Sequence, residues 1–257
     1  GGTVGYFGMA NNLAMALSPS AGVLVLNAFG FGSLFMTASA VVSVSFLSTV
    51  LTSRPARGAT EGPGPRSRFD FIELRALFPM LVICFFATAY GSLVIYLPLY
   101  SPERGLDNPG LFFIPYSLVA MSTRSLAGRT SDRLGRSITI VPGMLLAAVA
   151  LVVHSQAASV SMFITVAVMF GLAFSLVTPS LMALLIDRVR PEARGVAVGT
   201  FTAGFDLGVG LGAFVSGRLL ELMDFPAMYR LVAGAPLAGL VIFVLVRRTH
   251  RREGPSG

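Results

Sequence analysis

Apolar runs of roughly 16 to 30 residues, separated by short polar breaks, leave this chain few choices of fold. A bilayer core about 30 Å thick asks about 20 apolar residues of a spanning helix, and runs of that length recur across all 257 residues. They predict an all-α, polytopic membrane protein with spans at 3-18, 21-51, 74-98, 109-127, 137-154, 159-186, 195-217 and 227-246. Ser18-Pro19 marks the break between the first two, since proline cannot continue regular helix hydrogen bonding. The composition is 54% hydrophobic and 12% charged, where a soluble domain carries about 25% charged residues. A membrane barrel would show alternating segments of about ten residues, which the sequence lacks.

The net charge of +7 raises nucleic acid as a partner, and its distribution removes it. All 19 basic residues are arginine, and alternate loops place 16 of them on one side of the predicted membrane. Only Arg104, Arg218 and Arg230 fall opposite. Positive charge stays inside, so both chain ends are expected in the cytoplasm. Thr52 to Asp70 form the long polar linker, whose arginines suit an anchor on acidic lipid headgroups. Cys84 stands alone in an apolar span. His154, expected at an outer loop, and His250, in the tail, lack acidic or cysteine neighbours at ligand spacing. No metal and no cofactor is expected.

A dense run of charge and glycine, Gly128-Arg129-Thr130-Ser131-Asp132-Arg133-Leu134-Gly135-Arg136, sits between two of these spans. It resembles the cytoplasmic loop signature G-x-L-A-D-R-x-G-R-[KR] of the major facilitator superfamily, with Gly128, Asp132, Arg133, Gly135 and Arg136 in place and departures at Thr130 and Ser137. The same arginines also read as a plain cytoplasmic anchor. Gly5, Ala14, Ser18, Pro19 and Gly22 resemble a second signature of that family, G-x8-G-x3-G-P-x2-G on helix five, found in transporters that exchange substrate for protons; Ala14 and Ser18 keep its small residues. Asp187 to Gly195, followed by Gly199 and Phe205-Asp206-Leu207-Gly208, resembles the junction of helices ten and eleven in bacterial efflux-type members. Tyr96-Leu97-Pro98 and Asn108-Pro109-Gly110 resemble the exit of helix seven and the entry of helix eight.

An internal repeat refines this picture. An offset of 194 residues carries Gly5, Ala14, Ser18, Pro19 and Gly22 onto Gly199, Gly208, Gly212, Ala213 and Ser216. Duplicated halves belong to secondary transporters, and in this superfamily they are related by an axis along the membrane normal. The resemblance therefore implies the carboxyl-terminal eight of twelve helices, with four helices expected upstream. Residues 1-51 would be the last two helices of one half, 52-73 the linker, 74-247 the complete second half and 248-257 a cytoplasmic tail.

Within the spans Asp206 is the carboxylate farthest from an end, about 18 Å deep if its helix starts near Arg194, and the repeat pairs it with Asn12. Intramembrane carboxylates face a bundle interior or a watery cavity, so Asp206 reads either as a proton or substrate site or as a packed structural acid. Tyr90, Ser92, Tyr96, Tyr116 and Thr178 are candidates for a central cavity. Gly199, Gly208 and Gly212, like Gly5, Ala14, Ser18, Pro19 and Gly22, also read as close helix packing. Intramembrane catalysis would need a second deep acid or a deep histidine, so no enzyme is expected. The resemblance implies proton-driven export of a small organic compound by alternating access, with uptake as the alternative, in a protein that is monomeric at full length. Asp132 is expected to latch the cytoplasmic side, accepting from the arginines beside it and from the amides at the amino end of the helix that starts near Gly2.

Overall fold

The computed structural model describes residues 2–52, 76–105, 108–190 and 193–252; the side chains of 2–20, 23, 27, 52 and 248–252 lie outside that description. The described residues form eight α-helices, one short 3-10 turn at Pro102–Arg104 and no strand: α1 Gly2–Thr52, α2 Leu77–Tyr100, α3 Gly110–Leu134, α4 Ser137–Ser155, α5 Val160–Arg188, α6 Arg194–Leu220, α7 Phe225–Val232 and α8 Gly234–Arg252. Among these residues, six segments are long and apolar enough to cross a membrane: Ala28–Leu51, Leu77–Tyr100, Ser137–Ser155, Val160–Arg188, Arg194–Leu220 and Phe225–Arg247. The last of these joins α7 and α8, which part only at Ala233.

The first two expected spans meet elsewhere than predicted. Backbone helix runs through Pro19, and the break falls at Gly30, with φ 77° and ψ 177°. A β-carbon on Gly22 would come within 3.8 Å of Leu34. Twelve residues of straight helix would separate the two by about 18 Å, so the arms of α1 fold back on each other at Gly30. Proline removes one backbone bond and a membrane helix tolerates it. Only glycine takes a positive φ of this kind without strain.

The body of the bundle is α2 to α8. Its central seam is α2 on α6, where a β-carbon added to Gly208 or Gly212 would land on the carbonyl oxygens of Cys84 and Thr88. Backbones that close pack by direct van der Waals contact, which drives helix association where lipid is as apolar as leucine. Hydroxyls complete the seam: Ser216 donates to Ser92 (2.8 Å), Ser92 donates to the carbonyls of Thr88 (2.8 Å) and Gly212 (3.1 Å), and Tyr96 donates to Ala213 (2.9 Å). Helix α5 packs between α3 and α4, bonded to each through one hydroxyl pair, Thr123 with Ser175 and Thr139 with Ser180, both at 2.7 Å. Helix α1 lies against α3.

Candidate functional site

One end of the bundle is charged. The run from Gly128 was expected to be a loop, yet α3 continues as helix through Leu134 and stops at Gly135, whose φ of 94° and ψ of 148° end the turn. Once the chain leaves the apolar layer, polar residues extend a helix into water without penalty. Asp132 and Arg136 then stand four residues apart and form an ion pair. Arg136 reaches across as well, donating from Nε (3.0 Å) and a terminal nitrogen (2.9 Å) to one carboxylate oxygen of Asp187, on the last turn of α5. Burial alone would lower the Arg136 guanidinium, but the hydrogen bonds and negative charges of Asp132 and Asp187 outweigh it and hold the group above its ordinary value. Arg136 thus ties the α3–α4 junction to the end of α5. Asp187 belongs to this cluster although its motif role was not expected. The signal was there: an acid closing a span on the arginine-rich side sits opposite the arginines of the next inner junction. The partner seen for Asp132 is Arg136, one of the arginines beside it; the amino end of α1, the other expected partner, has side chains outside the described residues.

Arg133 is exposed, and a β-carbon on Gly128 would meet nothing within 4 Å. Beside the cluster lies a cavity of about 390 Å³, lined by Arg124 and Arg136 and by one face of α5 from Thr178 to Asp187. The Thr178 hydroxyl is buried without a protein partner.

The opposite end is aromatic. His154, expected at a loop, is fully buried in the last turn of α4. Its ring meets Tyr229 edge-on at 4.5 Å between centroids, with Tyr100 at 5.2 Å and Phe163 at 5.3 Å. Helix α7 covers it, from some 70 residues downstream, a contact that local polarity could not announce. The Tyr100 hydroxyl donates to the carbonyls of His154 and Ser155 at 3.3 and 3.2 Å.

The remaining candidates separate into groups. Ser92 and Tyr96 belong to the α2–α6 seam rather than to a cavity wall. Tyr90 and Tyr116 join an aromatic layer with Phe174 and Phe205, in which Tyr90 lies 5.5 Å from Phe174 and 5.7 Å from Phe205. Tyr116 is buried and Tyr90 half-buried. Asp206 is exposed, near the middle of α6, on the face that carries exposed Gly199, Thr202, Ala203 and Gly210. Gly199 therefore takes no part in the seam. Gly5, Asn12, Ala14, Ser18 and Pro19 lie outside the residues with described side chains. Among the described residues no three His, Cys, Asp or Glu side chains gather as a metal site would need.

Comparison with known proteins agrees with this architecture. The family model described as Major Facilitator Superfamily matches residues 1–153 and 110–257. YhhS of Salmonella enteritidis, named an uncharacterized MFS-type transporter, is 24% identical over 94% of this chain and 59% of its own length. Another uncharacterized MFS-type transporter, from Salmonella typhimurium, is 27% identical over 63% of this chain and 42% of its own. A third, from Pseudomonas aeruginosa, is 26% identical over 65% of this chain and 42% of its own. The chain thus spans about half the length of the curated relatives it matches.

Proposed function

The chain belongs to the Major Facilitator Superfamily, and from that premise we propose that it supplies the last eight helices of a twelve-helix, proton-coupled exporter of a small organic compound. The register of the repeat supports the architecture: an offset of 194 carries the Gly30 break onto Asp224, which caps the start of α7. The two arms of α1 then correspond to α6 and to α7 with α8. The full protein resides in a bacterial inner membrane with both ends cytoplasmic and works as a monomer, rocking one half against the other around a midplane site.

The observation that carries the coupling role is the placement of Asp206. It stands exposed at mid-helix, on a face of small residues turned away from the glycine seam. A carboxylate held at that depth is retained where it meets water, a partner or a proton. Proton and substrate then compete for one state, which is the requirement for exchange. Asp206→Asn preserves size and one hydrogen-bonding oxygen while removing titration. In the reconstituted full-length protein this variant should bind substrate but lose accumulation driven by an imposed pH difference. Accumulation at the wild-type level would remove Asp206 from coupling. The Asp132–Arg136–Asp187 cluster serves as the inner latch, breaking when the cytoplasmic side opens. Asp132→Asn should lower transport without lowering membrane abundance.

A further inference from the structure

The aromatic end holds a buried titratable group, and proton coupling through Asp206 makes no use of it. Both ring nitrogens of His154 are enclosed without a hydrogen-bond partner, and so is the hydroxyl of Tyr229 beside it. The rings around His154 come from four helices: Tyr100 of α2, Phe112 of α3, Phe163 of α5 and Tyr229 of α7, the last at 4.5 Å and edge-on. A neutral imidazole fits among them. An imidazolium there would give up its hydration and find no counter-ion, which is the costliest way to bury a charge.

The charged groups of this end stand around the rings and not among them. On the α2 side the Arg104 guanidinium lies 5.4 Å from the Tyr100 ring centre, and Glu103 beside it is exposed. On the α7 side Asp224 is exposed and accepts from the Ala227 amide (2.9 Å), while Arg230 is exposed. At the end of α6, Arg218 pairs with Glu221 at 3.0 Å. The first charged residues of α3, α5 and α8 are Arg124, Asp187 and Arg247, at least thirteen residues, about 20 Å, beyond the helix starts. Among the described residues no carboxylate forms an ion pair with His154.

The cover over His154 is one short helix. Helix α7 turns Met228, Tyr229 and Val232 inward, leaves Arg230 and Leu231 exposed, and parts from α8 at Ala233, next to Gly234. Such a junction between elements is where a hinge absorbs motion. Lifting α7 would carry Tyr229 off the imidazole and let water reach both nitrogens.

We propose that His154 is a proton-operated release for α7: at neutral pH the uncharged ring stays packed under the helix, and acid opens the α4–α7 contact by charging it. The contribution of the neutral ring to this contact is complete above the ordinary histidine value of about 6.5 and is lost as pH falls below it, because the open form alone takes up the proton. Lowering pH from 7.5 to 5.5 should therefore raise the open population about tenfold. Under the proposed topology this end faces away from the cytoplasm, the acidic side when protons drive export. That assignment of sides rests on the transport reading; the release itself does not.

Hydrogen exchange of residues 225–232 is followed by mass spectrometry in the full-length protein in phosphatidylcholine nanodiscs at pH 7.5 and 5.5, each rate divided by the intrinsic rate at that pH. Wild-type α7 should gain about tenfold in this ratio, while Ser137 to Ala150 of α4 hold theirs. His154→Leu should gain less than about twofold, and so should His154→Gln, which is polar but does not titrate and decides alone if the leucine variant fails to fold. Asp224→Asn keeps a helix cap and should retain the wild-type response. No gain in wild type, a gain that survives both His154 variants, or one that Asp224→Asn abolishes would overturn the release. Slower exchange in acid would overturn it as well, by showing that the ring faces hold an imidazolium in place. The discs carry no gradient, so a loss of proton-driven accumulation strikes the transport reading and leaves the release standing.

Discussion

The two ends of the α2–α8 bundle are held by opposite means. At one end Arg136 joins Asp132 and Asp187, whose side chains remain 65% and 53% exposed. At the other, Tyr100, His154, Phe163 and Tyr229 are fully buried against one another. Ion pairs in contact with water exchange one partner for another at small net cost, because water and salt offer substitutes. Aromatic packing has no such substitute, and opening it leaves a cavity. The charged end thus separates at small net cost, while the aromatic end resists separation.

The largest effect should come from breaking the aromatic end. Tyr229→Ala should lower the unfolding free energy of the full-length protein by about 3–5 kcal/mol, seen as a drop in its melting temperature in detergent. Tyr229→Phe sharpens the point, because the Tyr229 hydroxyl has no partner in its burial. That variant should melt at or above wild type, and a large loss would show that the hydroxyl holds an unrecognised bond.

At the charged end the backbone should matter more than the ions. Gly135→Ala forces a β-carbon into a conformation with φ 94° and should cost about 1–3 kcal/mol in the same melt. Removing the cross-helix pair by Arg136→Ala with Asp187→Ala should show a coupling of only about 0.5–1 kcal/mol in a double-mutant cycle, and about 1 M salt should erase it. A salt-insensitive coupling of several kcal/mol would make this end as rigid as the other. Because Arg136 is held above its ordinary value, its share of the stability is complete below that value and falls only as pH climbs past the raised one. Raising pH from neutral to about 10 should therefore leave the coupling intact. The smallest change has the opposite sign: Gly128→Ala, in the last turns of α3 with open space around it, should gain about 0.5 kcal/mol.

The contrast between the ends was only half legible beforehand. Charge at one end reads directly from the arginines, because lipid forces polar residues to the span boundaries and alternate loops share a side. The Asp132 to Arg136 spacing announced its ion pair, but Asp187 joined from a distant helix end. His154 was misplaced because its cover comes from α7, and one turn of helix near a polar Gln156 looks the same whether it faces water or a later segment. Ser92 and Tyr96 carried polar tips that suit a cavity equally well, and only the approach of α6 on its glycines decided that they close a seam. The break in α1 was assigned to Pro19 because proline is visible as a letter, whereas the backbone sign at Gly30 is a property of the folded chain. Asp206 lies mid-helix by its distance from either end of an apolar run, while the surface it faces depends on where the seam lies.

From Ala28 to Leu51 of α1 no residue is buried, yet the hydroxyls of Ser33, Thr37, Ser43, Ser45, Ser48 and Thr49 each donate to the carbonyl four residues before. Hydrocarbon supplies no partner for a polar group, so hydroxyls that bond back to their own helix lower the cost of placing this segment in lipid. During synthesis this hairpin reaches the insertion machinery before α2 to α8 exist. Its second arm carries those six hydroxyls already bonded within the helix and does not wait for a later segment to supply their partners.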